Sequence, residues 1–167
     1  IYFIPVTGVD MVLLALNNYK YIMNIFNWFR NKEKSCIDFS AGFNLTDLPI
    51  VTFTHGDKKL NFLLDTGSNK SLINSSIVNE LNHIPLRSDS TMFGVDGNYT
   101  KVEVSVISIF YNGEEYANDF MVSDLDKPFS NIKKESGVTI HGILGNNFFT
   151  RNKSILNFEE MKAYFKK

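Results

Sequence analysis

Asp65 follows Leu63 and Leu64 at the end of an apolar run and is followed by Thr66, Gly67 and Ser68, within the stretch LNFLLDTGSNKSLIN from Leu60 to Asn74. A carboxylate is costly to remove from water unless something pairs with it. A strand that ends on one either carries it harmlessly into a turn or exists to place it. The chemistry open to such a group is general acid and base work, with water or a substrate carbonyl as its target. Gly67 is expected to permit a tight turn with positive φ and a close approach of backbone to the carboxylate.

The elements that must hold this turn are strands. LPIVTFTHGDKKLNFLL reads as two short strands around a turn at His55, Gly56 and Asp57. KSLIN resumes a strand directly after the Asp65 turn, and SSIVNEL reads as a short helix with Ser75 as its cap. STMFGVDGNYTKVEVSVISIF gives two strands around a tip at Gly94 to Asn98, with Val102, Val104 and Val106 alternating against Lys101, Glu103 and Ser105. Asn112-Gly113 is a favoured hairpin dipeptide and leads into EYANDFMVSDL. Asp126 to Gly137 reads as loop, VTIHGILG as a buried strand, Asn146 to Thr150 as one helical turn and KSILNFEEMKAYF as a closing hairpin. The pattern is all-β with one or two short helices, a small barrel or sandwich.

Leu63 to Ile73 resembles the motif of the retroviral-type, or retropepsin-like, aspartic proteases: two apolar residues, Asp, Thr or Ser, Gly, Ala or Ser, two variable positions, Ser or Thr, and two more apolar residues. Two further elements follow in family order. MFGVDGN stands where the family has a glycine-containing flap, and Ile143, Leu144, Gly145 and Asn146 supply the late apolar-apolar-glycine element. The resemblance implies a closed β barrel with a flap hairpin over residues 47–167. It implies a peptide-hydrolysing dyad in which Asp65 acts, Thr66 hydrogen-bonds across a two-fold axis and Gly67 brings its N–H near the carboxylates. Ser68 would bond the outer carboxylate oxygen, and Phe93, Gly94, Val95, Asp96 and Gly97 of the flap would cover bound peptide. The physics of the pair is clear: a lone aspartate with a pKa of about 3.9 is a poor acid and base near neutrality. Two touching carboxylates share a proton and titrate as one unit. With a single Asp-Thr-Gly in the chain, the implied assembly is a homodimer acting on polypeptide, without metal or cofactor. Two alternatives stand beside it: a silent dimerisation or peptide-binding module, and a domain completed by a partner lobe. The flap is poorer in glycine than the retroviral one and carries Asp96, and residues 1–46 have no counterpart in the minimal protease.

Plainer readings exist for each motif. Asp, Thr, Gly and Ser are all ordinary turn residues, and Gly94 and Gly97 suit any hairpin. Gly142 to Gly145 matches the GxxG of an RNA-binding loop but lacks basic surroundings. His55, His83 and His141 have no metal-ligand spacing and read as structural or exposed. Among 167 residues, 44% are hydrophobic, 14% aromatic and 21% charged, with a net charge of -1. That composition suits one sizeable core and argues against nucleic acid as a partner.

Cys36 is the single cysteine, so no internal disulfide can form. Asn44, Asn69, Asn74, Asn98 and Asn152 each begin an Asn-x-Ser/Thr triplet. A glycan at Asn69 would crowd the Asp65 turn, so the triplets read as products of an asparagine-rich composition in a cytoplasmic or bacterial protein. Val12, Leu16, Tyr19, Met23 and Phe26 form an apolar stripe opposite Asn17, Lys20, Asn24, Asn27 and Asn31, which predicts an amphipathic helix in residues 1–46. Packing on protein is the favoured reading of that helix over contact with a membrane surface. The segment Arg30 to Ser35 reads as a solvated linker.

Overall fold

The computed structural model describes residues 35–86, 91–93 and 99–165. The predicted N-terminal amphipathic helix and the flap tip lie outside the described residues.

The hairpin expected after Leu48 forms as β2 (Ile50–His55) and β3 (Lys58–Leu64), antiparallel from Ile50 opposite Leu63 to His55 opposite Lys58. Its alternation is period two: Val51, Phe53, Leu60, Phe62 and Leu64 are buried, while Thr52, Thr54 and Lys59 face solvent. β4 (Ser71–Asn74) follows the Asp65 turn but does not pair with β3. Between them lies β10 (Gly142–Leu144), parallel to β3 and antiparallel to β4. β4 continues in parallel to β9 (Glu114–Ser123), which pairs antiparallel with β8 (Val104–Tyr111). β8 returns to β2 where Thr54 faces Phe110, so β2, β3, β10, β4, β9 and β8 form a closed ring of six strands. β5 (Ile84–Leu86) hangs on the outside of β8 as an edge strand with Pro85 at its centre, a residue that suits an edge because it cannot donate to a ladder.

The ring closes on an aromatic core. Phe53 meets Phe62, Tyr116 and Phe148 with centroids 5.7, 5.9 and 6.3 Å apart, all at steep edge-on angles. A second sheet, β1 (Ser35–Asp38), β12 (Lys162–Phe165) and β11 (Ile155–Asn157), adds Ile37, Ala163 and Phe165 to this core. The predicted domain start at residue 47 therefore falls inside the folded unit, which begins at Ser35. Ser35 itself is the first residue of β1 rather than the end of a linker. Ile37 and Phe39 are almost fully buried, and side chains of that kind each contribute roughly 1.5–3 kcal/mol of burial. A third, two-stranded sheet joins β6 (Thr91–Phe93) to β7 (Tyr99–Lys101), with Phe93 opposite Tyr99. This is the backbone ribbon from which the predicted tip would extend.

Among the described residues there are four short helices: α1 (Ser40–Thr46), α2 (Ser75–Val78), α3 (Ser130–Ser136) and α4 (Asn146–Arg151). α3 occupies a segment expected to be loop. Asn74, not Ser75, caps α2: its side chain accepts from the Ser76 N–H at 3.3 Å. Asn74 is also buried and donates to Asp126 Oδ1 at 2.8 Å, so it is closed to a glycan in the folded chain. The Asn112-Gly113 turn has positive φ at both residues, as a two-residue hairpin turn of this type requires. The expected alternation through Val106 breaks at Ser105. Val102 and Val104 are buried, then the buried set moves to Ser105, Ile107 and Ile109. No helix among the described residues is long and apolar enough to cross a membrane.

His141 extends the insertion of β10 between its neighbours. Its N–H donates to Asn61 O at 2.8 Å, its carbonyl accepts from the Asn74 N–H at 2.8 Å and its ring Nδ1 accepts from the Asn61 N–H at 2.9 Å. The ring must be neutral to accept. Burial, aided by Lys133 and opposed by Asp126, holds its pKa below the ordinary histidine value. The unfolded chain thus binds the proton first as pH falls. Stability is fully present above the ordinary histidine range and is lost as pH drops through it. Thermal denaturation of wild type between about pH 7.5 and 5 should show this loss, and His141→Gln should flatten it. An unchanged slope in the variant would assign the acid sensitivity elsewhere.

Candidate active site

Asp65 sits one residue beyond β3 and its turn must span the width of β10 to reach β4. The backbone of the intervening strand end holds it. Asp65 N–H donates to Leu144 O at 3.0 Å, Asn146 N–H donates to Ser68 O at 2.8 Å, and Asn146 Nδ2 donates to Thr66 O at 3.0 Å. The two motifs singled out in the sequence, Asp65 to Ser68 and Ile143 to Asn146, are thus one structure. Their separation in the chain is bridged only because β10 is threaded between β3 and β4.

Within the turn, the Gly67 N–H donates to Asp65 Oδ1 at 2.8 Å and the Ser68 N–H to Asp65 O at 3.3 Å. A side chain bonded to the backbone two residues on is an ordinary Asx turn. What distinguishes this one is the rigid frame beneath it and the exposure above it: Asp65 is half-buried while Thr66 and Gly67 are exposed. Gly67 does not use positive φ. Its smallness matters through space instead, since a Cβ there would lie 3.1 Å from Asp65 Oδ1. Ser68 does not bond the carboxylate in this structure; its hydroxyl donates to Lys70 O at 2.6 Å. Phe93 ends β6, and Gly94, Val95, Asp96 and Gly97 lie outside the described residues.

The frame has a tight point at Gly145. A Cβ there would lie 2.5 Å from Lys70 O and 2.8 Å from Ser68 O, both backbone atoms of the turn itself. Gly145→Ala must therefore push the Asp65 turn outward, an overpacking cost of about 1–3 kcal/mol. A denaturant midpoint lowered accordingly, with altered amide resonances across residues 65–71, is the expected result; a wild-type midpoint would show that the turn yields freely.

Side chains that sequence patterning did not single out support the frame from below. Ser71 donates both its N–H and its hydroxyl to Asn147 Oδ1, each at 2.8 Å, and its Oγ accepts from the Gly145 N–H at 3.0 Å. Ser71 had a signal, since it fills the Ser/Thr position of the motif. Asn147 had none. Among the histidines, His55 Nε2 accepts from the Asn82 N–H at 2.9 Å while its Nδ1 meets Ser108 O at 2.8 Å, and His83 Nδ1 lies 2.9 Å from Leu81 O. All three histidines bond backbone. Among the described residues no cluster of His, Cys, Asp and Glu could hold a metal ion.

Among curated proteins none matches the chain. EIAV protease complexed with the inhibitor HBY-793 is a similar solved structure, with a TM-score of 0.49 and 21% identity over 69% of this chain and 97% of that one. The family model described as aspartyl protease matches residues 51–148, from β2 through the Asp65 turn to the start of α4. That span is more than half of the chain and contains every element that holds Asp65, and the chain belongs to the aspartyl protease family.

Proposed function

We propose that the chain is an aspartic endopeptidase whose active site is completed by a second copy, with the two Asp65 turns facing each other across a two-fold axis. The observation that carries this reading is the Asp65 turn itself: a half-exposed carboxylate fixed by the Gly67 N–H, on a frame tied at three points to residues 144–146. One such turn supplies one carboxylate, and the chain has one Asp-Thr-Gly. Paired, the two carboxyls hold a single proton. The ionised one takes a proton from water as the water oxygen attacks the peptide carbonyl, while the protonated one polarises that carbonyl. Proton transfer to the amine then accompanies C–N cleavage. In this reading exposed Thr66 would hydrogen-bond across the axis, and Phe93 to Gly97 would cover the bound peptide. The test is cleavage of a mixed peptide library across pH by the purified chain. No cleavage at any pH, from protein shown to be dimeric, would turn the reading to a silent peptide-binding dimer.

A further inference from the structure

We propose that Asn147 is the positioning residue of the Asp65 turn, orienting it through Ser71 and Gly145 from an anchor on β9; its effect on turnover rests on the proteolytic reading above.

Asn147 and Arg151 lie one turn apart on α4, so both side chains leave the same face. Both reach Asp119 on β9. Arg151 Nη2 lies 2.5 Å from Asp119 Oδ1 and its Nη1 donates to Ala117 O at 3.0 Å. Asn147 Nδ2 donates to Asp119 O at 3.0 Å and to its Oδ2 at 3.4 Å. On its other side, Asn147 Oδ1 takes both donors of Ser71, which frees the Ser71 oxygen to accept from Gly145. Every proton has an assigned direction: from Gly145 to Ser71, from Ser71 to Asn147, and from Asn147 to Asp119. A flipped amide would set its NH2 against the Ser71 N–H, a donor that cannot turn away. Ser71 and Gly145 are buried, so water cannot replace a lost bond. Burial pushes the Asp119 carboxyl up, but the Arg151 guanidinium, a backbone hydrogen bond and the Asn147 amide together outweigh it and hold the group below the usual range, keeping an ionised anchor.

This arrangement separates Asn from its near-isostere Asp. Asn147→Asp keeps the acceptor toward Ser71 but loses the donor toward Asp119. It sets a carboxylate against the Asp119 carbonyl and carboxylate, where Arg151 is the cation that bonds Asp119, with uncharged Ser71 opposite. Once protonated, the new carboxyl can donate to Asp119 O and the whole chain of bonds returns. The variant should consequently acquire a pH dependence of its own, read as the ratio of variant to wild type at each pH.

The experiment measures kcat and KM of Asn147→Asp across pH, together with amide exchange of the same samples. At neutral pH kcat should fall on the order of a hundredfold, the scale of a small misplacement of reacting groups. KM should stay within about twofold. Exchange at Asp65 and Gly145 should quicken relative to wild type at the same pH while that at Ile107 and Ile109 in β8 stays slow, and acidification should bring both readouts back to the wild-type values at the same pH. Should that variant fail to fold, Ser71→Ala retains the Ser71 N–H bond to Asn147 but removes the acceptor for Gly145. It should quicken Gly145 exchange and lower kcat by a factor, relative to wild type at the same pH, that acid does not change. Wild-type kinetics and exchange in Asn147→Asp at neutral pH, or losses that acid does not reverse, would overturn the proposal. A wild-type chain that cleaves nothing defeats the proteolytic reading alone, and the exchange pattern still decides the role of Asn147.

Discussion

Asp65→Asn is expected to lower peptide cleavage by roughly a thousandfold or more, the scale set by loss of a general acid and base, and to leave the fold in place. The substitution is nearly isosteric. Its side-chain oxygen can still accept the Gly67 N–H that now binds Oδ1 at 2.8 Å, and the backbone bonds to Leu144 and Asn146 do not involve the changed group. What disappears is the shared proton, because an amide neither ionises nor passes a proton to the amine. The measurement is kcat/KM beside the thermal midpoint of the same preparation. In wild type the activity should form a bell with an acidic optimum, since the wholly ionised and wholly protonated pairs are both incompetent. Normal turnover by the variant would remove Asp65 from the mechanism.

Specific activity is expected to fall on dilution through the dimer dissociation constant, and Thr66→Ala is expected to move that constant to higher concentration. A two-fold axis brings each Asp65 beside its own copy without any second motif. Thr66 is exposed at the head of the turn, where a cross-axis bond and its symmetry mate would be made. Two such bonds at the usual net value total about 1–3 kcal/mol, which is roughly 5- to 150-fold in the dissociation constant. Sedimentation and activity measured over the same concentration series decide the matter. An active monomer, with activity strictly proportional to protein at every dilution, would sink the shared site. The acid sensitivity expected from His141 sets a boundary on both experiments: the optimum for cleavage and the loss of stability approach each other from opposite sides, so activity at low pH should be read with the midpoint in hand.

Local pattern carried a large part of the fold. The β2–β3 hairpin, the Asn112-Gly113 turn and the closing hairpin each rest on period-two burial and turn chemistry between near neighbours, and all appear where expected. α3 escaped because none of its residues is buried, so there was no apolar stripe for a helical period to show. β1 and α1 escaped because two strong core residues, Ile37 and Phe39, stand among polar ones in a short segment. Along β8 the buried face moves from Val104 to Ser105, a change of phase that tertiary packing imposes and alternation alone does not foresee.

What the amino-acid sequence determined by itself is the candidate carboxylate and its immediate setting: Asp65 at a strand end, followed by Thr66 and Gly67, with a second apolar-apolar-glycine element far downstream. Only the tertiary structure decided that these two elements touch. The threading of β10 between β3 and β4 puts Leu144 and Asn146 under the turn, and ring closure at Thr54 and Phe110 fixes β9 where Asp119 can meet Asn147 and Arg151. The physical reason is one of range. A strand or turn is selected by residues a few positions apart, whereas the bonds that orient the carboxylate join segments whose proximity exists only after the barrel has closed.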